Sequence, residues 1–327
     1  GGMLFMPNWS YALPSGGQVV TNNGTITAGG KVMDITGSGN VAIDWNSFNI
    51  AADEIVNFKN MQAVLNYVSG GRKSEIFGKL NGAGVNVFLV NPNGILFGKT
   101  AQVNVGQLTA STRSLEKAAL NSFNGSLSPL DAGGAANVKA DIINLGKLKA
   151  GKLVLEGNNL SIIGADSLEV ADKSKITLRA GENINIGYEV TDKTTIDVGD
   201  GKGNTHQVSD YGKGGGDKAS DVLSAASVTD LKGSAKSIND AMLVHDVYEL
   251  QAIDRNTGTI NGSSYVVGNY MLAGDIDAGD TKNWNSGRGF DPIGRLNRTG
   301  NGVTGSFSGA FDGICHSIQN LYIRQIG

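Results

Sequence analysis

The stretch "KLVLEGNNLSIIGADSLEVADKSKITLRAGENINI", residues 152–186, decides the fold. Its apolar residues fall in pairs two apart: Leu153/Leu155, Leu160/Ile162, Leu168/Val170, Ile176/Leu178 and Ile184/Ile186. A spacing of two points both side chains of a pair to one face of a strand. Successive pairs are offset by 7 or 8 residues, and the pattern returns after 23 or 24, from Leu153 to Ile176 and from Leu160 to Ile184. Three short strands per return describe one coil of a three-sided parallel β-helix, in which each strand bonds to its equivalents roughly 4.8 Å above and below. Corners such as "EGNN" (156–159) and "AGEN" (180–183) carry the polar residues and glycines that turns require.

The offset recurs earlier in the chain. Val41/Ile43, Phe48/Ile50 and Val56/Phe58 are spaced 7 and 8, and Val87/Leu89, Ile95/Phe97 and Val103/Val105 are spaced 8 and 8. Between Leu89 and Ile95 lies Asn91-Pro92-Asn93-Gly94, which suits a type I turn with Pro at its second position and Gly at its fourth. Turn chemistry accounts for Pro92 and Gly94 but does not require either asparagine to be Asn rather than Asp or Ser. The expected class is therefore all-β, with the 48 glycines of the 327 residues concentrated at corners.

Some segments break the rhythm. "KNMQAVLNYVSGG" (59–71) reads as a helical or irregular excursion, and "TRSLEKAALNSF" (112–123) as a short helix outside the coils. Residues 199–239 are rich in Gly, Lys, Asp and Ser and read as a flexible or excursive insert. "NDAMLVHDVYELQAI" (239–253) places Leu243, Val247 and Leu250 on one helical face, with Asn239 or Asp240 as N-cap. Residues 1–12 read as either the tail of an export signal cleaved after Ala12 or a cloning scar with a disordered end. The chain stops straight after strand-like "NLYI" without a visible polar cap, the pattern expected of the N-terminal piece of a longer protein. The resulting division is 1–12, a β-helical domain over 13–200, a polar insert over 201–238, and a helix with renewed β-repeats over 239–327.

Composition excludes several functions. A net charge of −3 with no basic stripe argues against nucleic-acid binding. The single cysteine, Cys315, excludes an intrachain disulfide and a cysteine-rich metal site. No apolar run approaches the ~20 residues of a membrane-spanning helix. His206, His245 and His316 form no zinc-ligand spacing, and Cys315-His316 reads as a buried Cys beside an exposed His rather than a dyad. Asp275, Asp277 and Asp280, with "DVGDGKGN" (197–204) and "GKGGGD" (212–217), hint at calcium loops but read better as turn-forming residues. No nucleophile elbow or phosphate loop is present, so the expectation is a non-enzymatic chain without cofactor or metal.

The segments "ALPSGGQVVTNNGTI" (12–26), "AIDWNSFNIAADEIVNF" (42–58), "VLNYVSGGRKSEIFGKLNGAGVNVFLVNPNGILFG" (64–98) and "AQVNVGQLTAST" (101–112) together resemble the secretion domain of two-partner-secretion exoproteins, the filamentous-haemagglutinin-like and high-molecular-weight-adhesin-like proteins of Gram-negative bacteria. The resemblance covers roughly residues 12–200. It implies a right-handed parallel β-helix with an N-terminal cap, passage through the periplasm to the cell surface, and recognition by the periplasmic domains of a dedicated outer-membrane transporter. It also maps the family's secretion motif onto Asn91, Pro92, Asn93, Gly94 and Ile95. A second motif, Asn-Pro-Asn-Leu, is absent, and its nearest equivalent is "DWNSFNI" (44–50), which favours the adhesin-like branch. Further on, "YMLAGDIDAGDTKNWNSGRGFDPIG" (270–294) and "FSGAFDGICHSIQNLYI" (307–323) resemble the GLUG repeat of bacterial surface proteins, with Ile314-Cys315-His316 where that repeat has Asn-Gly-His. The implied function is the N-terminal secretion domain of a monomeric adhesin-like exoprotein whose downstream passenger meets a host receptor or glycan. A carbohydrate-active, polysaccharide-lyase-like β-helix enzyme and a direct glycan- or host-binding module are the alternatives.

Overall fold

The computed structural model describes residues 13–197, 199–294 and 305–324, so the expected signal remnant at 1–12 lies outside the described residues. The chain is mostly β, its strands are mostly paired in parallel, and it divides into two units.

The first unit takes the chain up to Ile162, with Asp166–Ile184 and Leu223–Ile238. Its strands stack in columns. One column runs through Asn40–Trp45, Ala63–Val68, Lys79–Val90, Gln102–Ser111, Lys152–Gly157, Ile176–Ala180 and Ser227–Thr229, each parallel to the next. The register aligns Val41, Val64, Val87, Leu108, Leu153 and Ile176, all at most 1% exposed. A second column aligns Val56, Leu80, Val103, Leu148 and Leu168, and a third aligns Ile95, Ile142 and Leu160. The return from Leu153 to Ile176 is thus a direct parallel pairing, and Leu160 N donates to Asn183 O at 2.9 Å, one residue before Ile184. Each fully buried Val, Leu or Ile in such a stack is worth about 1.5–3 kcal/mol. At the start, Gln18–Val19 pairs antiparallel to Asn40–Trp45, and a hairpin of Gly24–Gly29 and Val32–Gly37 precedes it. The short Gln18–Val19 strand covers an edge that would otherwise be open to pairing with other chains.

The stretch 59–71 is not helical: Ala63–Val68 is a strand in the first column. Val64 and Val68 face the aliphatic stack while Ala63 and Leu65 meet a second cluster with Phe88, Leu120 and Phe123. A strand buried on both faces loses the alternation that marks strands. The helix expected within 112–123 is present as Lys117–Asn121, and it supplies Leu120 to that cluster.

The second unit holds Ile163–Ala165, Asn185–Val222 and the chain from Asn239. Within it Asn185 pairs in parallel with Asn239, Met242 with Tyr270, and Val266 with Phe307. Residues 239–253 are not one helix. Asn239–Val244 is a strand, and the helix is Val247–Ala252, capped by Asp246, whose Oδ1 accepts from Glu249 N at 2.8 Å. Ala241–Val244 are all buried, so a continuous apolar run was open to either reading. Within 199–239 the structure forms the strands His206–Ser209 and Ser227–Thr229 and the helix Ala219–Val222. Cys315 is exposed and the His316 side chain only 10% exposed, the reverse of the expectation, because Ile314-Cys315 form a turn rather than a strand. No helix among the described residues is long and apolar enough to cross a membrane.

Candidate functional site

Asn91–Ile95 forms a corner of the first unit. Gly94 N donates to Asn91 O at 3.1 Å, closing the turn, and Asn91 Oδ1 accepts from Asn93 N at 2.9 Å in an Asx turn. Asn91 is completely buried. Its Nδ2 donates to Arg72 O at 2.9 Å and to Ser74 Oγ at 3.0 Å, and its Oδ1 also accepts from Asn93 Nδ2 at 3.0 Å. Both donors and both acceptor positions of the amide are therefore used. Asp would keep the acceptors, lose both donors and place a charge against the Arg72 carbonyl, and Ser is too short to span these partners. Asn93 is exposed, but its Nδ2 donates to Gly70 O at 2.7 Å. Turn type left the identity of both residues open; bonds to residues 70–74 are what select the amide.

The remaining positions fit the same corner. Gly94 has φ +118°, a region closed to most side chains, and its carbonyl accepts from Ser74 N at 3.0 Å. Ile95 is buried, pairs with Ser74 and Ile142, and donates its N–H to Asp141 O at 3.1 Å. Gly70 is equally fixed, since a Cβ there would lie 1.8 Å from Asn46 O. The structure thus brings Asn91, Pro92, Asn93, Gly94 and Ile95 together with the corner at 70–74. "DWNSFNI" (44–50) is likewise a corner: Asn46 N donates to Ser15 O at 3.0 Å and Asn49 Oδ1 accepts from Glu75 N at 2.8 Å.

Several polar groups carried no signal in the sequence. Asn66 is fully buried and bridges Trp45 Nε1 (3.0 Å) and Phe88 O (3.1 Å). Arg113, 6% exposed, grips Glu156, 1% exposed, through Nε–Oε1 at 2.7 Å and Nη2–Oε2 at 2.9 Å. Its Nη1 donates to Ser128 O at 2.6 Å, so one guanidinium ties the excursion after residue 112 to the sheet. Burial pushes the Glu156 pKa up, but the Arg113 bonds and charge, with Ser111 Oγ and Arg179, outweigh it and hold the group below the ordinary carboxylate value. Pairs 43 residues apart with no repeat cannot be read from spacing.

In the second unit His245 sits between two carboxylates, Nδ1 to Glu249 Oε1 at 2.7 Å and Nε2 to Glu189 Oε1 at 2.8 Å. The Glu249 contact raises His245 to about 9, with Glu189 adding to it against desolvation. Burial opposes ionisation of Glu249, but His245 and Ser209 bring it down to about 2. The candidate calcium ligands cap turns instead: Asp275 Oδ1 accepts from Ser317 N at 2.8 Å, and Asp277 Oδ1 from Gly279 N at 3.0 Å and Asn320 Nδ2 at 3.1 Å. Among the described residues no three His, Cys, Asp or Glu side chains are grouped to hold a metal.

Comparison with known proteins places this corner in context. The chain is 33% identical over 177 residues to the heme/hemopexin-binding protein of Haemophilus influenzae, a match covering 52% of this chain and 19% of the relative. It is 28% identical over 228 residues to halomucin of Haloquadratum walsbyi, covering 69% of this chain and 2% of that protein. The chain thus spans about a fifth or less of the length of these curated relatives. The crystal structure of the HMW1 secretion domain from Haemophilus influenzae aligns over 96% of this chain and 85% of its own, at 17% identity and a TM-score of 0.36, too low to bear on the architecture. The family model of the TPS secretion domain matches residues 10–276. The chain belongs to the TPS secretion domain family, a family of exoprotein secretion domains rather than of enzymes, whose members are secreted through the periplasm to the cell surface of Gram-negative bacteria.

Proposed function

We propose that residues 13–200 are the N-terminal secretion domain of a large surface-exposed or secreted adhesin-like exoprotein. A dedicated outer-membrane transporter recognises this domain through its periplasmic domains, and the domain then nucleates folding of the chain that follows. The family match over residues 10–276 carries this reading. The in-register returns from Val41 to Val64 to Val87, and from Leu153 to Ile176, support winding as a right-handed parallel β-helix of about 23 residues per coil. The 41-residue return from Val266 to Phe307 and the 42-residue return from Ile276 to Ile318 support reading the later segment as the GLUG-type start of a passenger. Engagement of a host receptor or glycan is assigned to that passenger, and catalysis to no part of this chain.

Deleting residues 13–200 from the full exoprotein and measuring passenger in the medium and at the cell surface tests the proposal. Retention in the periplasm is expected, and export at the normal level would end it. Within this reading the corner Asn91–Ile95 acts by holding residues 70–74 and 91–95 in one surface. Asn91→Ala should therefore impair secretion more than Asn93→Ala, because Asn91 makes more of the corner's buried bonds.

A further inference from the structure

The outer face of the first unit's sheet holds a cavity of about 230 Å³ that the Asn91 corner does not touch. Phe88, Thr109 and Val154 form its floor, side by side on adjacent strands, since the register aligns Phe88 with Thr109 and Thr109 with Val154. The segment Gly125–Pro129 forms its wall, held down by Arg113 through Ser128 O. Three cations line the cavity, Arg113, Lys152 and Arg179, against one carboxylate, Glu156.

The pairing of these charges is unequal. Glu156 Oε1 accepts from Arg113 Nε and Ser111 Oγ, both at 2.7 Å, and Oε2 accepts from Arg113 Nη2 at 2.9 Å. Arg179 reaches Oε2 only by one nitrogen, at 3.3 Å. A guanidinium has five N–H donors in a planar fork, so four of those on Arg179 are left for another acceptor. Lys152 forms no hydrogen bond or ion pair among the described residues. Arg113 and Glu156 cancel, which leaves a part-enclosed site with about two uncompensated positive charges beside an apolar floor.

We propose that this cavity binds a carboxylate on a short apolar stem. The carboxylate bridges Arg179 and Lys152, and the stem lies on Phe88 and Val154 below Leu127. Arg supplies the bidentate geometry a carboxylate matches, and Lys adds a point charge. The same chemistry is offered by a free short-chain carboxylic acid and by a glutamate side chain of a bound peptide.

Isothermal titration of the full chain at neutral pH and fixed ionic strength tests this. The probes are sodium butanoate, its uncharged isostere butanamide, and the capped peptide Ala-Ala-Glu-Ala-Ala. The expected result is saturable one-to-one binding of butanoate or the peptide, with butanamide weaker by about tenfold or more, the worth of one charge-assisted bond. A tighter peptide identifies the ligand as a side chain, and a tighter butanoate identifies a free acid. Lys152→Ala and Arg179→Ala should each weaken binding about tenfold or more. Lys152→Ala leaves the Arg113–Glu156 pair intact, so loss of fold cannot account for its effect. Absence of saturation with either anion, binding of butanamide as tight as butanoate, or undiminished binding in both variants overturns the proposal.

Discussion

The two units bury their cores by different means. In the first, Val41, Val64, Val87, Leu108, Leu153 and Ile176 stack in line, and aliphatic side chains in line need no polar partner. In the second, Tyr188, Tyr211, Tyr270, Trp284 and Phe290 share the core with Val and Ile, and the buried hydroxyls must be satisfied. Tyr211 OH donates to Leu243 O at 2.9 Å and contacts Glu249 Oε2 at 3.1 Å, and Tyr270 OH donates to Val267 O at 2.6 Å. The rung-to-rung return is 23 residues in much of the first unit but 54, 28 and 41 in the second. A constant short return lets one residue type recur on a column. A variable return requires side chains that pack singly and carry their own bonds.

The sharpest way to break this contrast is to remove the first unit's one deeply buried ion pair. Glu156→Ala strands Arg113 at 6% exposure and frees the segment at Ser128, a loss of about 3–5 kcal/mol. Glu249→Ala is the matching change in the second unit. It leaves Tyr211 bonded to Leu243 O and His245 bonded to Glu189, so the cost is smaller, about 1–3 kcal/mol. Urea midpoints of both variants order the two, and an equal or larger loss for Glu249→Ala would contradict the account.

The corner supplies the next step down. Asn91→Asp removes two donors from a site with no exposure, costing about 2–4 kcal/mol, whereas Asn93→Asp loses exposed contacts worth about 1 kcal/mol. Thermal midpoints measured at pH 7 should separate the two clearly. Indistinguishable midpoints would mean that the corner is set by Pro92 and Gly94 alone.

Charge makes the units diverge with pH. Glu156 has a depressed pKa, so its contribution is complete above the unfolded carboxylate range and is lost as pH falls through the folded value. His245 is raised from 6.5 to about 9, so its contribution is complete below 6.5 and is lost as pH rises through about 9. The Glu249 side of that pair is lost in acid, as pH falls towards about 2. The His245 side chain is 38% exposed, which holds its share to about 1 kcal/mol or less. Proton NMR of the His245 ring should show a midpoint near 9 that moves towards 6.5 in Glu249→Gln. A wild-type midpoint at 6.5 would remove the base-side arm of the comparison.

What the sequence displayed follows from the same contrast. Leu153, Leu155, Ile176 and Leu178 announce their strands because one face of each meets the stack and the other meets solvent or polar residues. Ala63–Val68 did not, because Leu120 and Phe123 from a segment some 55 residues away bury its second face. Asn239–Val244 hid for the same reason, four consecutive buried apolar residues having no period. At the corner, Pro92 and Gly94 were legible through the local backbone, since a turn type needs only adjacent residues. Asn91 was legible only as a position, because Arg72 and Ser74, which select its amide, lie 19 and 17 residues back. Arg113–Glu156 was not legible at all: one excursion meets one strand, once.

The smallest effect tests whether turns in the two units are equally well matched to their residues. At Gly94 the φ of +118° is met by glycine. In the second unit, Ile314 and Cys315 have φ of +45° and +65°, and His316 N donates to Gly313 O at 2.8 Å, a turn with both central residues left-handed. Such turns favour Asn-Gly, and an L-residue with a Cβ loses about 1–2 kcal/mol there. Ile314 is held by burial at 3% exposure, so replacing it would sacrifice packing. Cys315 is exposed, so Cys315→Gly relieves the strain at little packing cost. The glycine's greater freedom in the unfolded chain takes back part of the gain, about 0.5–1 kcal/mol. The net expectation is a stabilisation of about 0.5–1 kcal/mol, read as a raised thermal midpoint, against a lowered one for Gly94→Ala. An unchanged or lowered midpoint in Cys315→Gly would mean that the second unit, like the first, has turns already suited to the residues they hold.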